Sequence, residues 1–326
     1  MKNLKDRVFA VVRIAVSFGL MGLLFWVMKD DIRGIWATIV KSNMVFIGFG
    51  VVLILINTAL MGFRLQVIFR GENLYISLWE AVQLTYIGYY FNNFMPTAVG
   101  GDVVKAHYAS NFTKKRIKSY ASVLMDRFIG LYAFLIVAAI ALVVDGGRFR
   151  IMAIRPTVFI LVIVGIAGFI IATNRAVAGF MQRFFSRIKM LRIGEKLNAL
   201  YDIVHDYRNR ADVVVKAFVI SIFAQCLYFY AVYIFFLSLD VRVSIGLIFL
   251  IMPIVTFISM IPSLGGLGVR EGAIVAFFMS ITGKETAFAT SLLLLFGLFV
   301  ISLIGGVIYF CWGFSSSEDK QEAQVE

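Results

Sequence analysis

The chain has 326 residues, 61% of them hydrophobic and 15% charged, and a mean hydropathy of +0.90. Soluble domains are about 45–50% apolar and about 25% charged, so this composition excludes a soluble fold, a disordered chain and a disulfide-stapled secreted module. The formal net charge is +12, but the basic residues fall in short loops beside apolar runs. That pattern predicts attraction to anionic headgroups and no nucleic-acid partner.

A helix needs about 20 apolar residues to cross about 30 Å of hydrocarbon. Six stretches qualify, at 8–28, 44–63, 119–144, 153–172, 213–239 and 285–313. The first opens like a secretory signal, with Lys2, Lys5 and Arg7. It carries Arg13 and ends in Met28-Lys29-Asp30-Asp31 in place of a small-residue cleavage site, so it reads as a retained helix. Residues 78–95 run into Asn92-Asn93-Phe94-Met95-Pro96 and then Gly100-Gly101-Asp102. Residues 245–261 run into Pro262-Ser263-Leu264-Gly265-Gly266-Leu267-Gly268-Val269-Arg270-Glu271-Gly272. In both, proline and paired glycines interrupt an apolar segment, and a helical pattern then resumes, as in a broken or re-entrant helix.

The expected fold class is an all-α polytopic membrane protein. It has about six full transmembrane helices plus two broken or re-entrant segments, 78–112 and 245–283. Within 175–210, Met190, Ile193, Leu197, Leu200, Val204 and Tyr207 recur at helical spacing with Lys189, Arg192, Lys196 and Arg208 off that stripe, predicting an amphipathic helix on the cytoplasmic membrane surface. Residues 314–326 form a polar tail, expected to be disordered.

With the N-terminus in the cytoplasm and both broken segments returning to the side they entered, the cytoplasmic loops hold 18 Lys and Arg, including Arg64, Arg70 and Lys105. The outer loops hold 8. The excess predicts a multi-pass protein of the cytoplasmic membrane with both termini inside. Each half reads span, span, broken segment, span, giving one repeat over 1–144 and a second over 145–313. Three crossings is an odd number, so the second copy would be inverted and the broken segments would meet near mid-membrane, a transporter signature.

Ionisable residues at membrane depth are costly and normally face a protein interior or a wet cavity. The candidates are Asp102 and Lys105 after the first break, Asp126 and Arg127 in the following span, and Arg270 and Glu271 after the second break. Gly265, Gly266 and Gly268 would let backbone N–H groups approach a ligand, and the helix resuming there would aim its positive end at an anion. Beside Arg270 the natural occupant is a phosphate headgroup, and Asn92 and Asn93 at the other break are further candidate ligand contacts. A structural reading stands beside this one. The Asp126-Arg127 and Arg270-Glu271 pairs could pin the bundle by pairing across it, the glycines could serve close helix approach, and the asparagines could satisfy backbone groups freed at the break.

Enzyme signatures are missing. His107 and His205 are the only histidines and have no metal-ligand spacing, and neither a G-x-S-x-G nor a phosphate-binding G-x-x-x-x-G-K-[ST] motif occurs. No catalytic residue, metal or cofactor is expected. Cys226 and Cys311 lie in apolar runs and read as buried small hydrophobes.

The runs Phe91-Asn92-Asn93-Phe94-Met95-Pro96…Gly100-Gly101-Asp102-Val103-Val104-Lys105 and Pro262 to Gly272, with Asp126-Arg127, resemble the lysylphosphatidylglycerol synthase transmembrane (flippase-like) family over about residues 8–313. The resemblance implies a lipid flippase or scramblase moving an anionic or phosphate-bearing lipid, such as an aminoacyl-phosphatidylglycerol. In bifunctional members an aminoacyl transferase domain follows the membrane region. This chain is expected to be a stand-alone member without it, and not itself a lysyltransferase. The alternative is a polyprenyl-phosphate-sugar transporter, or a membrane enzyme or subunit of lipid-linked sugar metabolism. Expected partners are a membrane phospholipid or polyprenyl-phosphate lipid and a synthase. Oligomeric state is left open.

Overall fold

The computed structural model describes residues 31–94, 100–145, 210–261 and 265–322 as continuous stretches, with Tyr207, Ser263 and short pieces between 19 and 29 and between 156 and 164. The described residues are helical, without strands. In chain order the helices are α1 (Ile32–Val40), α2 (Met44–Gly71), α3 (Leu78–Phe94), α4 (Gly100–Thr113), α5 (Arg116–Asp145), α6 (Ala211–Ser238), α7 (Ile245–Ile258), α8 (Val269–Thr282) and α9 (Lys284–Glu322).

Four of these are long and apolar enough to cross a membrane: α2, α5, α6, and α9 up to Cys311. They coincide with four of the six predicted spans. The other two, 8–28 and 153–172, lie largely outside the described residues, as does the amphipathic helix at 175–210. The protein is an all-α polytopic membrane protein. Both interrupted segments are helix–break–helix: α3 ends at Phe94 and α4 begins at Gly100, and α7 ends at Ile258 with α8 beginning at Val269.

Local chemistry sets the boundaries. The Asn43 side chain accepts a hydrogen bond from the Val45 N–H at 2.9 Å and starts α2. Ahead of α3, the Ser77 hydroxyl accepts from the Glu80 N–H at 3.1 Å while the Glu80 carboxylate accepts from the Ser77 N–H at 2.6 Å, a reciprocal capping box. The C-terminus departs from expectation. α9 continues to Glu322, because Ser315 to Glu322 contains helix formers and neither Gly nor Pro to stop propagation.

The long helices α2 and α6 pack along each other, and they run antiparallel. At one end the Asn43 N–H donates to the Ser238 carbonyl at 2.8 Å, and at the other Arg210 lies 3.8 Å from Glu72. Each is the first of four successive helices in the order long, short, short, long. The main apolar core includes Ile54 of α2, Phe229 and Phe235 of α6, Ile251 of α7, Phe278 of α8 and Leu294 of α9, all fully buried. Tyr207 is buried against Ile68, and its hydroxyl donates to the Ile68 carbonyl at 3.1 Å. The cysteines are free, Cys226 half-buried but Cys311 exposed on the outer face of α9, where the sequence reading had it buried.

Candidate functional site

The end of α3 meets the second break. At Gly265, φ is +56°, and an added Cβ would overlap the Asn93 side chain at the end of α3. This position needs glycine on both counts, backbone conformation and close approach. Across the first break, α3 and α4 touch backbone to backbone, since a Cβ on Gly101 would overlap the Gly88 carbonyl. The Asn92 side chain accepts from the Gly101 N–H at 2.9 Å, satisfying one of the donors that the start of α4 leaves open.

Around this junction lies a cavity of about 280 Å³, walled by α2 to α9, with an adjoining one of about 160 Å³ at the second break. The first is lined by Asn92, Asp102, Lys105, Asp126, Arg127 and Arg270 among others. The second adds Asn93, Gly265 and Gly266. Gly268 and Glu271 line neither.

The charged side chains form a chain of alternating sign. Arg127 of α5 pairs with Asp102 of α4, whose other oxygen lies 3.5 Å from Lys105. Lys105 lies 3.7 Å from one oxygen of Asp126, and the Arg64 Nε donates to the other at 2.7 Å. The Arg64 Nη1 donates to the Ser221 hydroxyl of α6 at 3.0 Å. Each carboxylate is thus held between two cations, which offsets the cost of burying them. The chain contains three cations and two acids. Arg270, which lines the cavity, is balanced by Glu271 just behind it, so these described residues together carry one formal positive charge in excess.

Arg270 and Glu271 pair with each other rather than across the bundle. Arg270 donates from Nε at 3.0 Å and Nη2 at 2.6 Å to one Glu271 oxygen, and the Gly268 N–H donates to the other at 2.7 Å. Glu271 is fully buried, Arg270 8% exposed. The positive end of α8 therefore already faces an anion, the chain's own Glu271, and the sequence-based expectation that it would be open to a ligand is corrected. A carboxylate at the third helical position reaches back to the N-cap amide more readily than a diffusing anion can. Arg270 still lines both cavities.

Two basic residues assigned to loops lie inside the bundle. Arg64 is 5% exposed and Lys105 7%, leaving 16 of the 18 basic residues counted for one side against 8 for the other. Arg64 was missed as a site residue because the apolar run was ended at 63. Leu65, Ile68 and Phe69 continue the helix past it, all fully buried. Asn57, Gln225 and Tyr228 also line the cavity. Asn57 and Gln225 were visible as lone amides inside apolar spans, which is itself a signal for an interior polar site. Among the described residues no group of three or more His, Cys, Asp and Glu is arranged to hold a metal ion.

The described residues thus form a helical membrane bundle with a charged cavity beside its two interrupted segments. The model of the lysylphosphatidylglycerol synthase TM region matches residues 10–306, and the chain belongs to that family. A search of the curated proteins finds no match. Membership makes this a multi-pass membrane protein of lipid metabolism or transport.

Proposed function

We propose that the protein moves a phosphate-bearing lipid between the leaflets of the cytoplasmic membrane, as a flippase or scramblase, with both termini on the cytoplasmic side. The headgroup occupies the cavity while the acyl chains stay in the bilayer. The observation that carries this reading is the excess, among the described residues, of one cation over the acids at a cavity enclosed by apolar helices. A phosphodiester restores neutrality there, and arginine presents the forked donors that suit it. Arg127, Lys105 and Arg270 contact the phosphate. Asp102, Asp126 and Glu271 hold these cations when the cavity is empty.

Each cavity carboxylate is engaged by a cation, an arrangement that holds charge in place and favours movement of the lipid over chemistry on it. The antiparallel course of α2 and α6 is the relation that an inverted pair of units requires. Rocking one unit against the other would expose the junction of the breaks to either side in turn.

The test is lipid movement in proteoliposomes, read with headgroup-labelled lipids and a membrane-impermeant quencher. The parent is expected to move anionic lipid faster than protein-free vesicles do. Arg270→Ala and Glu271→Gln, each shown to be folded, are expected to slow it about tenfold or more. Arg270→Ala moving lipid at the parent rate would overturn the proposal.

A further inference from the structure

Gln225 is fully buried, lines the larger cavity, and has no hydrogen-bond partner for either its carbonyl oxygen or its amide nitrogen among the described residues. An unpaired buried amide is costly, and native structures keep few of them. Its neighbours do not relieve it. Ser221, one turn before it, takes the Arg64 hydrogen bond at 3.0 Å, and the Asn57 amide donates to the Ala224 carbonyl at 2.6 Å. Tyr228, nearly one turn after it, lines the same cavity toward Arg270. Ser221, Gln225 and Tyr228 lie on one face of α6 over about 10 Å of rise. Gln225 therefore sits between the Arg64–Asp126 end of the cavity and the Arg270 end.

We propose that Gln225 reads the neutral part of the headgroup, its carbonyl accepting from and its amide donating to free hydroxyl groups, while the cations hold the phosphate. This rests on the phosphate reading above and narrows the ligand to a phosphodiester carrying a polyol. A side chain with both a donor and an acceptor unpaired suits hydroxyls. An ammonium group would leave the amide N–H unpaired, and a bare alkyl group would leave both atoms unpaired. A glycerol headgroup and a phosphosugar both supply this chemistry.

The test measures binding in phosphatidylcholine nanodiscs doped with one of three lipids and read by melting temperature against lipid fraction. Phosphatidylglycerol carries free hydroxyls, phosphatidylpropanol has the same charge and length without them, and a polyprenyl phosphoglucose supplies the sugar. The parent is expected to prefer a hydroxylated lipid over phosphatidylpropanol by about tenfold in apparent Kd, the effect of about 1.4 kcal/mol from one or two neutral hydrogen bonds. Which hydroxylated lipid wins identifies the source. Gln225→Met, similar in volume and unable to pair with hydroxyls, is expected to abolish the preference and leave phosphatidylpropanol binding unchanged. Its lipid-free melting temperature is expected to be equal to or above the parent's, because an unpaired amide has been removed. Gln225→Leu repeats the test with a second apolar side chain. The inference is overturned if the parent does not distinguish the lipids, if the variants keep the preference, or if they lose all lipids equally. Failure of the parent to move lipid in vesicles would count against transport and leave this binding result standing.

Discussion

Removing Arg64 leaves Asp126 with Lys105 alone, 3.7 Å away, inside an apolar bundle. Truncating one partner of a buried pair typically costs about 3–5 kcal/mol, mostly from the stranded charge. Arg64→Met should lower the melting temperature of the detergent-solubilised protein sharply, and Asp126→Asn should do so too. The double variant should recover much of the loss, since no charge is then stranded at that end. A double variant as unstable as the sum of the singles would show that the pair does not couple. The same logic separates stability from function at Arg270 and Glu271. Arg270→Gln combined with Glu271→Gln should be more stable than Arg270→Gln alone and still fail to move anionic lipid.

At the scale of elements, the breaks are where small residues matter. Gly101 lies against the Gly88 carbonyl, so Gly101→Val must push α4 away from α3. That should destabilise by roughly 1–3 kcal/mol or more and also slow transport, because Asp102 and Lys105 ride on α4. Ser77→Ala removes one half of the capping box at the start of α3 and should cost about 1 kcal/mol with transport nearly intact. Equal loss of transport in both variants would contradict this contrast.

The breaks were legible in the sequence because proline, paired glycines and charge have few other uses inside apolar runs. The partners of the charges were not. Whether Asp126 meets Arg64 or Glu271 meets Gly268 depends on how α2, α5 and α6 rotate against one another and on how a helix start folds back. Neither leaves a trace in spacing along the chain. Arg64 illustrates the point: as the residue directly after an apolar run ending at 63 it resembles a loop cation, and only packing on α5 and α6 makes it an interior one.

At the scale of the molecule, the antiparallel pairing of α2 with α6 puts the loop at 72–77 and the loop at 239–244 at opposite ends of the bundle. In intact cells, single cysteines at Asn73 and Asp240, each in a Cys226→Ser and Cys311→Ser background, should show opposite accessibility to a membrane-impermeant thiol reagent. Asp240 should be the reactive one if both termini are cytoplasmic. Labelling of both from one side would contradict the inverted arrangement.

The central claim is that a lipid headgroup enters the cavity between the breaks. The most direct measurement is photo-crosslinking with an anionic phospholipid carrying a diazirine in its headgroup, followed by mapping of the modified residues. Adducts are predicted on cavity residues such as Met61, Tyr89 and Met260, suppressed by excess unlabelled anionic lipid and weakened in Arg270→Ala. Adducts confined to outward-facing residues such as Phe223 and Phe299, indifferent to competitor, would contradict it.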